Sequence, residues 1–109
     1  MLNLYQMLTK TPLSEYSQEL NNFCEAHEVS SLYVFGSYAT GNQNAQSDID
    51  FLVDFKDIPL DRCTDHYFEL HEKIEQLFGR SIDLLTVNSL SNPYFIQSVE
   101  ETKQLLYAA

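Results

Sequence analysis

A chain of 109 residues, 44% hydrophobic with 3 glycines and 3 prolines, has the composition of one small globular domain and not of a disordered tail. Sixteen acids against six bases give a formal net charge of -10, which leaves few Lys and Arg to displace counterions from nucleic-acid phosphates. Such a chain is poorly suited to gripping RNA or DNA by itself; a basic protein partner and plain solubility fit the acidity equally well. No apolar run approaches the roughly 18 residues of a membrane span. Met1-Leu2-Asn3-Leu4-Tyr5 lacks the basic stretch and cleavage site of a secretory signal, so the expected location is the cytoplasm. Cys24 and Cys63 lie far apart without C-x-x-C spacing and are expected to be reduced, buried thiols.

Taken in chain order, residues 1–10 carry Leu4, Met7 and Leu8 and fit a short amphipathic turn or a frayed end. Thr11-Pro12 has the pattern of an N-cap followed by proline at the first helical position. Leu13, Tyr16, Leu20, Phe23 and His27 follow at spacings of three and four, predicting an amphipathic helix. Leu32 to Phe35 is a short apolar run that ends at Gly36 and predicts a buried strand. From Ser47 to Phe55 the pattern alternates: Ile49, Phe51, Val53 and Phe55 face one way, Asp48, Asp50, Leu52 and Asp54 the other. Leu60, Cys63, Tyr67, Leu70, Ile74 and Leu77 predict a long helix closed by Gly79. Ile82 to Val87 reads as a third strand. Asn92-Pro93 opens a last helix to about Glu101, and Leu105-Leu106-Tyr107 could add an edge strand. The order is α-β-(turn)-β-α-β-α, an α/β (α+β) domain over residues 1–109 with a small mixed sheet covered by helices.

Three features carry chemistry. Gly36-Ser37 ends the first strand; glycine lets backbone pass close to a ligand, and a serine at a strand-to-helix turn offers its hydroxyl and N–H groups to phosphate oxygens. Alone, such a turn is ordinary. Asp48-Ile49-Asp50 places two carboxylates on one strand face, about 6–7 Å apart at Cα. Aspartate is depleted in strands, and two like charges on one face cost stability unless a cation lies between them. Asp83 stands alone within Ser81-Ile82-Asp83-Leu84-Leu85; if Ile82 and Leu84 face the core, Asp83 faces away, beside the pair. Three carboxylates on neighbouring strands suit a two-metal site for Mg2+ completed by substrate phosphates. The bland alternative is a solvated sheet face with scattered acids. An EF-hand is excluded, because Leu52 and Val53 stand where a ligand and a glycine belong.

Gly36-Ser37, ten residues, then Asp48-x-Asp50 resembles the signature of the DNA polymerase β-type nucleotidyltransferase superfamily. Within it, Gly-Ser-Tyr-Ala-Thr-Gly, Ser-Asp-Ile-Asp-Phe-Leu-Val and Ile-Asp-Leu-Leu are similar to the minimal nucleotidyltransferase (MNT) family, over roughly residues 13 to 107. The resemblance implies the polymerase β-like fold, with Ser37 binding the triphosphate beside Gly36. It implies that Asp48 and Asp50 hold two Mg2+ ions, and that Asp83 is the third, catalytic carboxylate. It further implies ATP as donor and a HEPN-domain toxin as partner, silenced by AMPylation of a tyrosine, so that the protein serves as an antitoxin. The family commonly has Arg where Thr40 stands, and threonine does not replace a bidentate phosphate ligand. Arg80 and Lys56 are the candidates to supply that base; otherwise the chain is a weak or inactive enzyme that neutralises its partner sterically. A small-molecule acceptor is disfavoured because the chain leaves little beyond a catalytic core. Oligomeric state stays open, a homo-oligomer included.

His27, His66 and His71 show no ligand spacing with the cysteines. His66 and His71, five apart on a helix, do not share a face, so no zinc site is expected. Tyr33, Tyr38, Tyr67 and Tyr94 are read as core or interface residues. Glu69, Glu72 and Glu75 are read as a solvated helix face. Asp54 lies about 13 Å along the strand from Asp50 and is placed on the rim, outside the cluster.

Overall fold

A computed structural model describes residues 13–109 apart from Ala45 and Ser47; the expected turn over residues 1–10 and the Thr11-Pro12 signal lie outside these. A 3-10 turn at Ser14–Tyr16 leads into α1 (Ser17–Ala26), followed by β1 (Val29–Phe35) and a single helical turn, α2 (Ser37–Thr40). Next come β2 (Ile49–Phe55), α3 (Leu60–Phe78) and β3 (Ile82–Thr86). After a 3-10 turn at Val87–Ser89, α4 (Pro93–Thr102) and β4 (Gln104–Ala108) complete the chain.

The strands form one mixed sheet in the order β3-β2-β1-β4. β1 runs antiparallel to both β2 and β4, and β2 pairs in parallel with β3. A parallel pair needs a long crossover, and α3 is that crossover. β1 begins earlier than the apolar run suggests: Val29 pairs with Phe55 and Ser31 with Asp54, with the register shifting between them. The closing Leu-Tyr segment is an edge strand, as expected.

The alternation along β2 sorts the two faces. Ile49, Phe51 and Val53 pack with Leu32, Val34, Ile82 and Leu84 against Leu20 and Cys24 of α1 and Leu70 and Ile74 of α3. On the opposite face Leu52 and Phe35 pack with Val99 of α4. Glycine and asparagine bound the helices as their chemistry requires: Gly79 ends α3 at φ 65°, and Asn92 opens α4, its side chain accepting from the N–H groups of Tyr94 and Phe95 at 2.9 and 3.2 Å.

Two expectations fail at the start of α3. Leu60, on the expected apolar stripe, is 82% exposed, and Cys63 is only half-buried. The first turn of α3 borders an open groove of about 730 Å3 at the far end of β2 and β3, so the stripe meets the sheet only from Tyr67 onward. Both cysteines are free thiols, and burial pushes the Cys24 thiol up to about 12. The two leucines of α3 therefore separate by position. Leu70→Ala should lower the unfolding free energy by about 2–5 kcal/mol, while Leu60→Ala should change it by less than about 0.5 kcal/mol, as read by urea denaturation.

Candidate active site

The sheet register assembles the acidic residues before any side-chain contact is considered. Phe35 is the Cα partner of Asp50 across β1 and β2, and Asp50 is the partner of Asp83 across β2 and β3. Gly36, which follows Phe35, is thus next to a row that ends in two carboxylates. Asp48 lies just before β2 and is exposed. Ile82 and Leu84 are buried while Asp83 is exposed, so Asp83 points away from the α1/α3 core as expected.

Asp50 is half-buried and its side chain is hydrogen-bonded to that of Asp83. Its pKa is pushed up from 3.8 to about 6, first by burial, then by the bond to Asp83 and by the charges of Asp83 and Asp48. Two carboxylates this close repel each other, and a proton or a cation relieves that repulsion. A donor set of hard carboxylate oxygens whose charge is this poorly compensated fits a divalent ion such as Mg2+.

Gly36 answers a steric demand. It adopts φ 72°, and a Cβ built there would lie 2.8 Å from Oδ2 of Asp50. Any side chain would displace the carboxylate or the turn. Two residues with no local motif hold this turn in place. The Gly36 N–H donates to Oγ1 of Thr102 at 3.1 Å, and the Gln104 side-chain amide donates to the Ala39 carbonyl at 2.6 Å. Both partners are more than sixty positions away in sequence, so no spacing signal could reveal them.

The two basic residues named beside Thr40 lie at different ends of the sheet. The Thr40 hydroxyl bonds back to the carbonyls of Gly36 and Ser37, each at 3.3 Å. Lys56 follows β2 at its far end, on the groove, about 20 Å along the strand from Asp50; it is too remote to serve. Arg80 lies at the aspartate end, just before β3, and its Nη1 donates to the Tyr38 hydroxyl at 2.5 Å. Tyr38 is buried against the α1/α3 core, and the Tyr67 hydroxyl donates to the Leu84 carbonyl at 2.7 Å; Tyr94 is exposed. Asp54 pairs with Ser31 and lines the distant groove, away from Asp50.

Two of the histidines are brought together in a way that spacing along the chain does not show. His27 and His66 do meet, with Glu69, their ligand atoms all within 4.8 Å of one another. Helical spacing relates His66 to Glu69, but His27 comes from a different element, which sequence spacing does not show.

Asp50 and Asp83 thus meet at one end of the sheet beside the Gly36 turn, with Asp48 exposed just before β2. The chain belongs to the polymerase β nucleotidyltransferase family: the family described as "Polymerase beta, Nucleotidyltransferase" matches residues 18–109. It is a nucleotidyltransferase enzyme. MJ1379 of Methanocaldococcus jannaschii is 40% identical over 77 residues, which span 71% of this chain and 76% of that protein. The protein adenylyltransferase MntA of Thermococcus cleftensis is 38% identical over 80 residues, 73% of this chain and 75% of its own. A solved complex of a tri-AMPylated Shewanella oneidensis HEPN toxin with its MNT antitoxin shares the fold. Its TM-score is 0.62 at 20% identity, covering 88% of this chain and 72% of the other.

The charge strain at Asp50 gives a signed expectation. Its folded-state pKa lies above the ordinary value, so its ionisation costs stability, and the cost grows as pH rises from 3.8 through about 6. In the presence of a chelator, Asp50→Asn should therefore melt higher than the parent at pH 7.5, with a smaller advantage at pH 5. A variant that melts lower at both values would contradict the repulsion. Gly36→Ala, by contrast, should lose activity because its Cβ meets the Asp50 carboxylate.

Proposed function

We propose that the chain transfers AMP from ATP to a hydroxyl of a partner protein, a tyrosine of a HEPN-type toxin, and thereby acts as its antitoxin. The row formed by Asp50 and Asp83, with Asp48 beside it, is the observation that carries this reading. The adenylyltransferase name of the Thermococcus relative and the AMPylated HEPN toxin held by the Shewanella antitoxin support the acceptor class.

Asp48 and Asp50 would hold Mg2+, with Asp83 as the third ligand. When bound, the metal would supply charge neutralisation for the phosphates and the pyrophosphate that leaves. Gly36, lacking a side chain, would let the phosphate chain approach β1, and Ser37 would hydrogen-bond its oxygens. Asp83 would draw the proton from the attacking hydroxyl. The new bond joins the acceptor oxygen to the α-phosphorus; the bond from that phosphorus to the bridging oxygen breaks, and pyrophosphate departs with its electron pair. Arg80, just before β3 at the aspartate end of the sheet, would be the base that contacts phosphate in preference to Lys56. The Thr40 hydroxyl, engaged by the Gly36 and Ser37 carbonyls, favours one competing reading, a slow enzyme that neutralises its partner by binding.

The test uses purified chain, ATP labelled in the α-phosphate, Mg2+ and a cognate HEPN-type toxin. Label should appear on a toxin tyrosine, and Asp83→Asn should cut the rate by ~10²–10⁴, the usual worth of a general base. Thr40→Arg should raise the rate about tenfold if a charge-assisted contact worth about 1.5 kcal/mol strengthens in the transition state. No label from either the parent or Thr40→Arg, with toxin still neutralised, would establish the binding reading instead.

A further inference from the structure

We propose that His27, His66 and Glu69 form a second cation site, specific for a zinc-class transition metal and separate from the aspartate row. His27 sits at the C-terminal end of α1, two positions before β1. The β1 register places Val29 opposite Phe55 and Phe35 opposite Asp50, so the histidine lies about 20 Å along the sheet from the aspartates.

The spacing of the ligand atoms suits a tetrahedral ion. Nδ1 of His27 lies 3.1 Å from Nδ1 of His66 and 3.4 Å from Oε2 of Glu69. Metal–ligand bonds of 2.0–2.1 Å at tetrahedral angles set neighbouring ligand atoms about 3.3 Å apart, so these distances need little adjustment. Two imidazoles and one carboxylate are the donor set zinc prefers and Mg2+ does not. His66 and Glu69 stand three apart on α3 and share a helix face. His27 is 4% exposed and held before any ion arrives. Its N–H donates to the Phe23 carbonyl at 3.1 Å. The adjoining Glu28 carbonyl accepts from Lys56 N–H at 2.8 Å, and Arg62 pairs with the Glu28 carboxylate at 3.6 Å. The Glu69 side chain is 61% exposed, which leaves a solvent side for a fourth, water ligand.

In the metal-free protein a proton occupies this position. The Lys73 ammonium, which has no lone pair, is 3.0 Å from Nε2 of His27. That nitrogen accepts, so Nδ1 carries the ring hydrogen and directs it at His66 and Glu69. Zinc binding replaces the Nδ1 proton, shifts a hydrogen to Nε2 and turns Lys73 away. Lys73 therefore opposes loading, and the bound ion clips the α1–β1 turn to α3.

Zn2+ competition against a chromophoric chelator tests this, on the full chain freed of metal. The parent should bind one zinc per chain at micromolar or tighter affinity, with a rise in Tm. His66→Ala and Glu69→Gln, both at sites with solvent access, should each weaken binding at least tenfold and abolish the rise. Lys73→Gln, which removes the ammonium and offers an acceptor to the Nε2 hydrogen, should tighten binding. Asp50→Asn should leave it unchanged. Zinc affinity unaltered in His66→Ala, or lost in Asp50→Asn, would overturn the proposal, as would failure of the parent to bind zinc below about 100 µM, weaker by ~100-fold than a micromolar three-ligand site.

Discussion

Parallel pairing of β2 with β3 forces the carboxylates of Asp50 and Asp83 into contact, and much of the remaining structure exists to sustain that unfavourable juxtaposition. The register allows no escape. Moving either strand by one residue would bury its acids and expose its apolar set, and the core built from Ile49, Phe51, Ile82 and Leu84 opposes such a slip. Hydrophobic packing on one face thus holds like charges together on the other. A cation that neutralises them gains affinity from strain already present in the fold.

The elements around this row have related duties. α3 carries the chain back so that β3 can run parallel to β2, and its Leu70 and Ile74 anchor the sheet. α4 and β4 reach across to the Gly36 turn through Thr102 and Gln104. The turn where phosphate would be held is therefore secured by α4 and β4, through bonds to the Gly36 N–H just before α2 and the Ala39 carbonyl within it. Substitutions at Thr102 or Gln104 act as positioning changes, since neither side chain belongs to the acidic row.

The meeting of Asp50 with Asp83 was partly legible because both obey strand periodicity, each standing on the face opposite the buried Ile49, Phe51, Ile82 and Leu84. Gly36 was legible as a close-approach residue, although what approaches it, the Asp50 carboxylate, became visible only in three dimensions. The reach of the helix stripe at Leu60, the remoteness of Lys56 and the meeting of His27 with His66 were not legible. Each depends on which end of the sheet a residue occupies, and periodicity carries no information on that. Thr102 and Gln104 were invisible for a related reason: their hydrogen bonds join segments with no shared pattern.

At the centre stands the claim that the strained carboxylates form a divalent-cation and nucleotide site. Calorimetric titration of ATP into the parent chain and into Asp50→Asn, each with Mg2+ and again with a chelator, addresses it most directly. Binding should require Mg2+ in the parent and weaken at least about tenfold in the variant, the loss of one charge-assisted contact. Equal ATP affinity with and without Mg2+, unaltered in Asp50→Asn, would contradict it.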